Sequence, residues 1–288
     1  MRNRQKVLFA SLCFALGLLV YSPGASGLPS DPKDSPTWVE FNSFDHELTN
    51  SKEVYIQGWM TKDGGCAWTE DVGVEMSSGA IEGREIGIDT KTCLVLMEYG
   101  IPPQSAIDAF LDDPPVDVSP SAGGTNLKSG VRQLAGPAAT LVIKRGVASL
   151  KTAWEDPLGI DVNSVQNTTD WHWNGCCVVG PVLNSQAQDW FTPTNWWRVD
   201  QNFQNSWNCT QTTSSSFAHF ANDDFCPGGG NRTHAYYNRN IVHGRYNGAA
   251  TRSQNSWVSG GCSGLLHKIW VFCVDSPIEG DTDCTTSF

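Results

Sequence analysis

Leu265-Leu266-His267-Lys268-Ile269-Trp270-Val271-Phe272-Cys273-Val274 is apolar on both of its alternating faces: Leu265, Ile269 and Val271 on one, Leu266, Trp270 and Phe272 on the other. A strand with one wet face alternates apolar and polar residues, so a strand of this kind is expected at the centre of a sheet, between two packed layers. Upstream, Ile241-Val242-His243-Gly244-Arg245-Tyr246 meets Asn247-Gly248 and resumes over 249–258, and Trp171-His172-Trp173 meets Asn174-Gly175 before Cys177-Val178-Val179. Asn-Gly between such segments is a strong hairpin signal, because both residues tolerate the positive φ of a tight turn. Leu150, Thr152 and Trp154 alternate up to Asp156-Pro157, and Ile160 and Val162 resume the period of two. The chain is therefore read as mainly β, with a β-sandwich or barrel domain over 131–288.

Working outward, 38–111 reads as a smaller α+β region. Glu85-Ile86-Gly87-Ile88-Asp89 alternates as a strand, Cys93-Leu94-Val95-Leu96-Met97-Glu98-Tyr99 fits a strand or a helix, and a short helix is expected over 103–111 after its proline start. Between the two parts, 112–130 holds Pro114, Pro115, Pro120, Gly123 and Gly124 with almost no large apolar residue, and is read as a linker or long loop. Residues 28–37, rich in Pro, Asp and Ser, read as a flexible mature amino terminus.

Residues 1–27 have the form of a secretory signal peptide: basic Arg2, Arg4 and Lys6, an apolar run over 7–20, and small Ala25 and Gly27 before the expected cut. The rival is an uncleaved anchor, but a run this short spans a bilayer poorly. The expected product is secreted and extracellular. Loss of the three basic residues takes the net charge of the 288-residue chain from −11 to −14. So acidic a chain has no basic field for nucleic acid or for an anionic membrane surface, and 40% hydrophobic against 17% charged residues argues for a folded protein.

Ten cysteines agree with export. With Cys13 removed nine remain, and no C-x-x-C spacing supports the rival zinc reading. Cys66 and Cys93 are expected to pair, since 38–111 holds no other cysteine, whereas neighbouring Cys176 and Cys177 should each seek a distant partner. An odd count leaves one thiol free or bonded to a second chain. Beyond Cys66–Cys93 the connectivity stays open.

The segments Glu85-Ile86-Gly87-Ile88-Asp89, Trp154-Glu155-Asp156-Pro157 and Trp171-His172-Trp173-Asn174-Gly175 resemble stretches of exported Gram-positive bacterial proteins of unassigned function. The resemblance implies a bacterial secreted protein and carries no activity across.

Six of the twelve tryptophans fall between 171 and 207. One reading is an exposed aromatic platform for sugar rings, built from Trp171, Trp173, Trp190, Trp196 and Trp197 with Asn195 to orient hydroxyls; the other is core packing. In the adjacent pair Trp196-Trp197, alternation turns one ring inward and one outward. His172, His219, His234, His243 and His267 all lie in the β part. His219, Asp223 and His234 would suit a hydrolytic metal site if their strands were adjacent, though no H-E-x-x-H specifies one and no metal or other cofactor is expected. Gly260-Gly261-Cys262-Ser263-Gly264 mimics a nucleophile elbow but precedes a strand where the elbow needs a helix. Sequons at Asn167, Asn208 and Asn231 are acceptors only in a host that glycosylates. Three functions follow: an extracellular binding protein for carbohydrate or a cell-surface polymer, a secreted hydrolase, metal-dependent in one form, that uses His219, Asp223 and His234, or a structural protein without ligand. The aromatic excess favours the first.

Overall fold

Period-two alternation becomes strands almost everywhere in the chain. A computed structural model describes residues 31–275 except 43, 63, 71–74, 77, 112–116, 122–141 and 227–230; the segment read as a signal peptide and most of the segment read as a linker lie outside the described residues. The first strands are β1 (Trp38–Glu40), β2 (Thr49–Gln57), β3 (Trp59–Met60), β4 (Cys66–Glu70), β5 (Gly79–Asp89) and β6 (Leu94–Ile101), followed by the helix α1 (Gln104–Leu111). Then come β7 (Asp117–Ser121), β8 (Lys144–Glu155), β9 (Asp161–Trp173) and β10 (Val178–Trp190). The last are β11 (Trp197–Trp207), β12 (Gln211–Asn222), β13 (Thr233–Arg245), β14 (Ala250–Gly260) and β15 (His267–Asp275).

The strands make two antiparallel sheets. A nine-stranded sheet runs β2-β6-β5-β15-β8-β9-β10-β7, with β1 added beside β5, and a six-stranded sheet runs β11-β12-β13-β14-β4-β3. Neither closes on itself into a barrel among the described residues. Both Asn-Gly hairpins form, joining β9 to β10 and β13 to β14. Of residues 93–99, ambiguous in sequence, 94–99 enter β6 and Cys93 ends the turn before it with φ 55°. Region 38–111 is built into both sheets: β5 pairs with β15, and β4 pairs with β14. Within the segment read as a linker, 117–121 instead form β7, which among the described residues pairs with β10 alone. Pro120 is compatible with that position because an edge strand leaves one side of its backbone unpaired. At the amino terminus, residues 32–34 form a 3-10 turn capped by Asp31, whose carboxylate accepts from the Lys33 backbone N–H.

β15 occupies the centre of the larger sheet, between β5 and β8, and both of its faces are covered. Trp270, Phe272 and Val274 join Trp171, Val242 and Ala250 in the core between the sheets. On the other face, Cys273 meets Ile107 of α1 and Ala80, while His267 stacks on Phe41 and its Nε2 donates to the Glu155 carboxylate at 3.0 Å. Leu265 is an exception to the sequence reading: it closes a 3-10 turn over Ser263–Leu265 and is exposed. Gly83 makes room for Trp270, since a Cβ there would lie 2.2 Å from the indole.

A second apolar cluster joins Trp68, Phe220, Ala235 and Tyr237 of the smaller sheet to Trp154, Val162 and Val165 of the larger. Between the clusters the contacts are polar. Tyr237 Oη donates to the Asn163 carbonyl at 2.7 Å, the Asn167 amide donates to the Asn240 carbonyl, and Thr169 and Thr212 hydroxyls meet at 3.4 Å. Such pairing is required of polar groups taken out of water.

Cys66–Cys93 forms as expected and ties β4 in one sheet to the start of β6 in the other. Cys177–Cys209 joins two hairpin turns, and Cys226–Cys262 joins the ends of β12 and β14. Cys273 is also disulfide-bonded. Cys177 finds a distant partner as expected, whereas Cys176 is an exposed free thiol. No helix among the described residues is long and apolar enough to cross a membrane.

Candidate functional site

Alternation on β12, β13 and β14 sends Ala218, Phe220, Ala235 and Tyr237 into the core and turns His219, Tyr236 and Trp257 to the opposite face. Register aligns those outward residues. Asp200 lies opposite His219, His219 opposite Tyr236, Tyr236 opposite Trp257, Trp257 opposite Ala67 and Ala67 opposite Trp59. The result is one row that crosses all six strands.

Within the row the rings stack. His219 and Tyr236 are 4.2 Å apart at 15°, and Tyr236 and Trp257 are 4.9 Å apart at 18°. Rings that stack across strands spend their faces on one another and offer edges to solvent. The free face is at the end of the row, where Ala67 interposes a small side chain and Trp59 is 50% exposed. A parallel row carries Trp197, Ala221, His234 and Ser259. Arg232 lies 5.2 Å from the centre of the Trp197 ring. A hydrogen bond joins His219 Nε2 and His234 Nδ1 at 2.9 Å. Burial, and then the proximity of His234, push the His219 pKa down to about 4, which keeps that ring neutral through the physiological range.

Beyond the rings the same face is polar and carries charge as well: Arg239 and Arg245 lie near His243, and burial followed by these two cations pushes its pKa down. Gln204, Ser215, Ile241 and Ser253 form one transverse row, and Thr213, His243 and Thr251 form another, with Thr213 Oγ1 2.9 Å from His243 Nδ1. An exposed sheet face commonly carries lysine and glutamate. This one carries amides and hydroxyls, groups that both donate and accept, with Asp200, Arg239 and Arg245 set among them.

The tryptophans singled out in the sequence mostly fail to reach this face. Trp171 and Trp173 are buried, stack on each other at 5.5 Å, and cannot offer a platform. Trp171 lies against Gly244, where a Cβ would come within 2.5 Å of the indole, and its Nε1 donates to the Arg245 carbonyl at 3.0 Å. Trp196 is buried beside Phe225, so in the Trp196-Trp197 pair the inward ring is Trp196. Trp190 is half-buried between Phe220 and Arg198. Only Trp197 of the five joins the outer face. Asn195 is exposed nearby in a left-handed turn, φ 62°, with its amide donating to Asp224 at 2.9 Å. Sequence reasoning missed Trp59, Tyr236 and Trp257. The signal for Tyr236 was its parity relative to Tyr237.

The histidine constellation is brought together in part. His219 and His234 meet on adjacent strands, but Asp223 is held by Arg232 through bonds of 2.6 and 3.2 Å, which lower its pKa. Among the described residues no group of three or more His, Cys, Asp or Glu is placed to hold a metal ion. Cys262 is consumed in its disulfide and is followed by a 3-10 turn and β15, not by the helix of an elbow. Asn208 and Asn231 are exposed, whereas Asn167 is wholly buried.

Deep to the outer face lies an ionic cluster. Glu70 accepts from Lys268 Nζ, from Trp68 Nε1 at 3.1 Å and from Trp270 Nε1 at 2.8 Å, with Arg252 at 3.9 Å. Those cations and donors outweigh the cost of burial and hold the Glu70 carboxyl below its usual range. Neighbouring Glu85 accepts from the Lys268 backbone N–H at 3.1 Å, and burial pushes its pKa up to about 8.

No family model matches this chain, and comparison with curated proteins and with solved structures returns no match.

Proposed function

We propose that the chain is a secreted extracellular binding protein that receives a neutral carbohydrate polymer on the outer face of the six-stranded sheet. The two sheets would act as a β-sandwich that keeps that face flat. The observation that carries the reading is the outer row itself: stacked ring edges ending in the half-exposed Trp59, beside amides and hydroxyls. Pyranose rings offer an apolar face for an indole and hydroxyls for side chains that both donate and accept.

The test is retention of the parent protein on insoluble neutral polysaccharides and on a glycan array, repeated with Trp59→Ala and Trp257→Ala. Binding should fall at least about tenfold with Trp59→Ala, equivalent to about 1.4 kcal/mol. It should also persist from about 0.05 to 0.5 M salt, because little of it is ionic. Failure of the parent protein to bind any neutral glycan, or unchanged binding by both variants, would refute the reading.

A further inference from the structure

A second concavity lies away from the outer row, between β2, β5 and β6 of the larger sheet and β4 of the smaller. It has a volume of about 780 Å3, within the roughly 300–1,000 Å3 usual for small-molecule sites. Val54, Ile56, Ile81, Tyr99 and Ile101 line it together with Met76, which is fixed by a backbone bridge to Ala250. These walls are not closed by the core: Val54, Ile56, Ile81 and Tyr99 are half-buried, and Ile101 is 49% exposed.

Two charged residues border the cleft, and they are not equivalent. Glu70 lies at the buried end, where Lys268 and Arg252 already neutralise it from the side away from the cleft and Tyr99 Oη donates at 3.4 Å. Lys52 is exposed at the mouth and makes no ion pair with a described residue. The uncompensated charge facing a ligand is therefore one positive charge at the rim of an apolar trough.

We infer that this cleft binds a single-chain amphiphile with a carboxylate head, of the free fatty acid class. The alkyl chain lies against Val54, Ile56 and Ile81, and the carboxylate pairs with Lys52. Each methylene removed from water contributes about 0.8 kcal/mol, so a chain of modest length supplies the affinity while Lys52 supplies polarity of entry. An anionic bilayer is a poorer occupant, because a chain of net charge −11 is repelled by such a surface whereas one carboxylate meets only the local lysine.

The experiment is fluorescence titration of the intact protein with a dansylated undecanoic acid, followed by displacement with palmitate and with hexadecanol. Palmitate should displace the probe in the micromolar range. Lys52→Glu should weaken palmitate about tenfold or more and leave hexadecanol unchanged. Ile101→Trp, at a half-exposed position, should fill the trough and weaken both, with a melting temperature close to that of the parent protein. Trp59→Ala should bind the probe normally, which separates this site from the glycan face. Absence of saturable probe binding, or palmitate binding insensitive to Lys52→Glu, overturns the proposal. Sedimentation with phosphatidylglycerol vesicles in place of probe binding also overturns it, in favour of a membrane surface.

Discussion

Tyr236 and Tyr237 are neighbours on β13 and stand on opposite faces of the six-stranded sheet. Tyr237 is buried, meets Phe220 edge-on at 5.8 Å and donates to Asn163, and burial raises its pKa well above the ordinary phenol value. Tyr236 is half-buried and stacks between His219 and Trp257. The inner face thus uses aromatic side chains to exclude water and join two sheets, while the outer face lines them up with their edges in solvent. Residue type is shared; only strand parity separates a structural ring from one that is free to meet a ligand.

That contrast breaks most severely at the ionic cluster on the inner side. Lys268→Met should cost about 3–5 kcal/mol in urea unfolding, because it strips the ammonium from buried Glu70. Adding Glu70→Gln should recover part of the loss; no recovery would mean that the pair is not coupled. Trp171→Ala should cost a comparable amount, about 3–5 kcal/mol, by opening a cavity against Gly244. A mild effect there would show that the ring is not the core element described.

A smaller, pH-dependent effect belongs to Glu85. Its pKa rises from an ordinary 4.5 to about 8 on folding, so the native state binds the extra proton between those values. Stability from this group is full below pH 4.5 and is lost as pH rises through about 8. Urea midpoints should accordingly fall between about pH 5 and pH 8.5, and Glu85→Gln should flatten the slope. An equally steep slope in the variant would assign the titration elsewhere. The smallest effect is expected at Trp59, where truncation should move stability by no more than about 0.5 kcal/mol. A sharp drop in melting temperature would place this ring on the structural side of the comparison.

Much of the fold was legible where local chemistry dictates it. Asn174-Gly175 and Asn247-Gly248 turn where their backbone preference requires, Leu266 to Val274 is apolar on both sides because both sides are covered, and Cys66 had one partner within its region. The outer aromatic row was legible only in kind. Trp59 joins Trp257 through Ala67 because β4 pairs with β14 across nearly two hundred residues, a register that no periodicity encodes. Bulges between Ser216 and Ala218 and between Tyr237 and Arg239 shift the register part-way along β12 and β13, so a simple alternation count loses track of the faces. Counting tryptophans between 171 and 207 selected rings of which Trp171, Trp173 and Trp196 are buried in the core.

The buried amide of Asn167, bonded to the Asn240 carbonyl between the sheets, bears on how the protein can be made. Asn167-Thr168-Thr169 is a glycosylation acceptor, and oligosaccharide transfer in a eukaryotic secretory pathway reaches a chain before it has folded. A sugar tree on that side chain would stand between β9 and β13 and hold the halves of the molecule apart. Bacterial export avoids the conflict. In yeast or animal cells the same gene should give a misassembled product until Thr169 is replaced by valine, which removes the acceptor signal and leaves the amide in place.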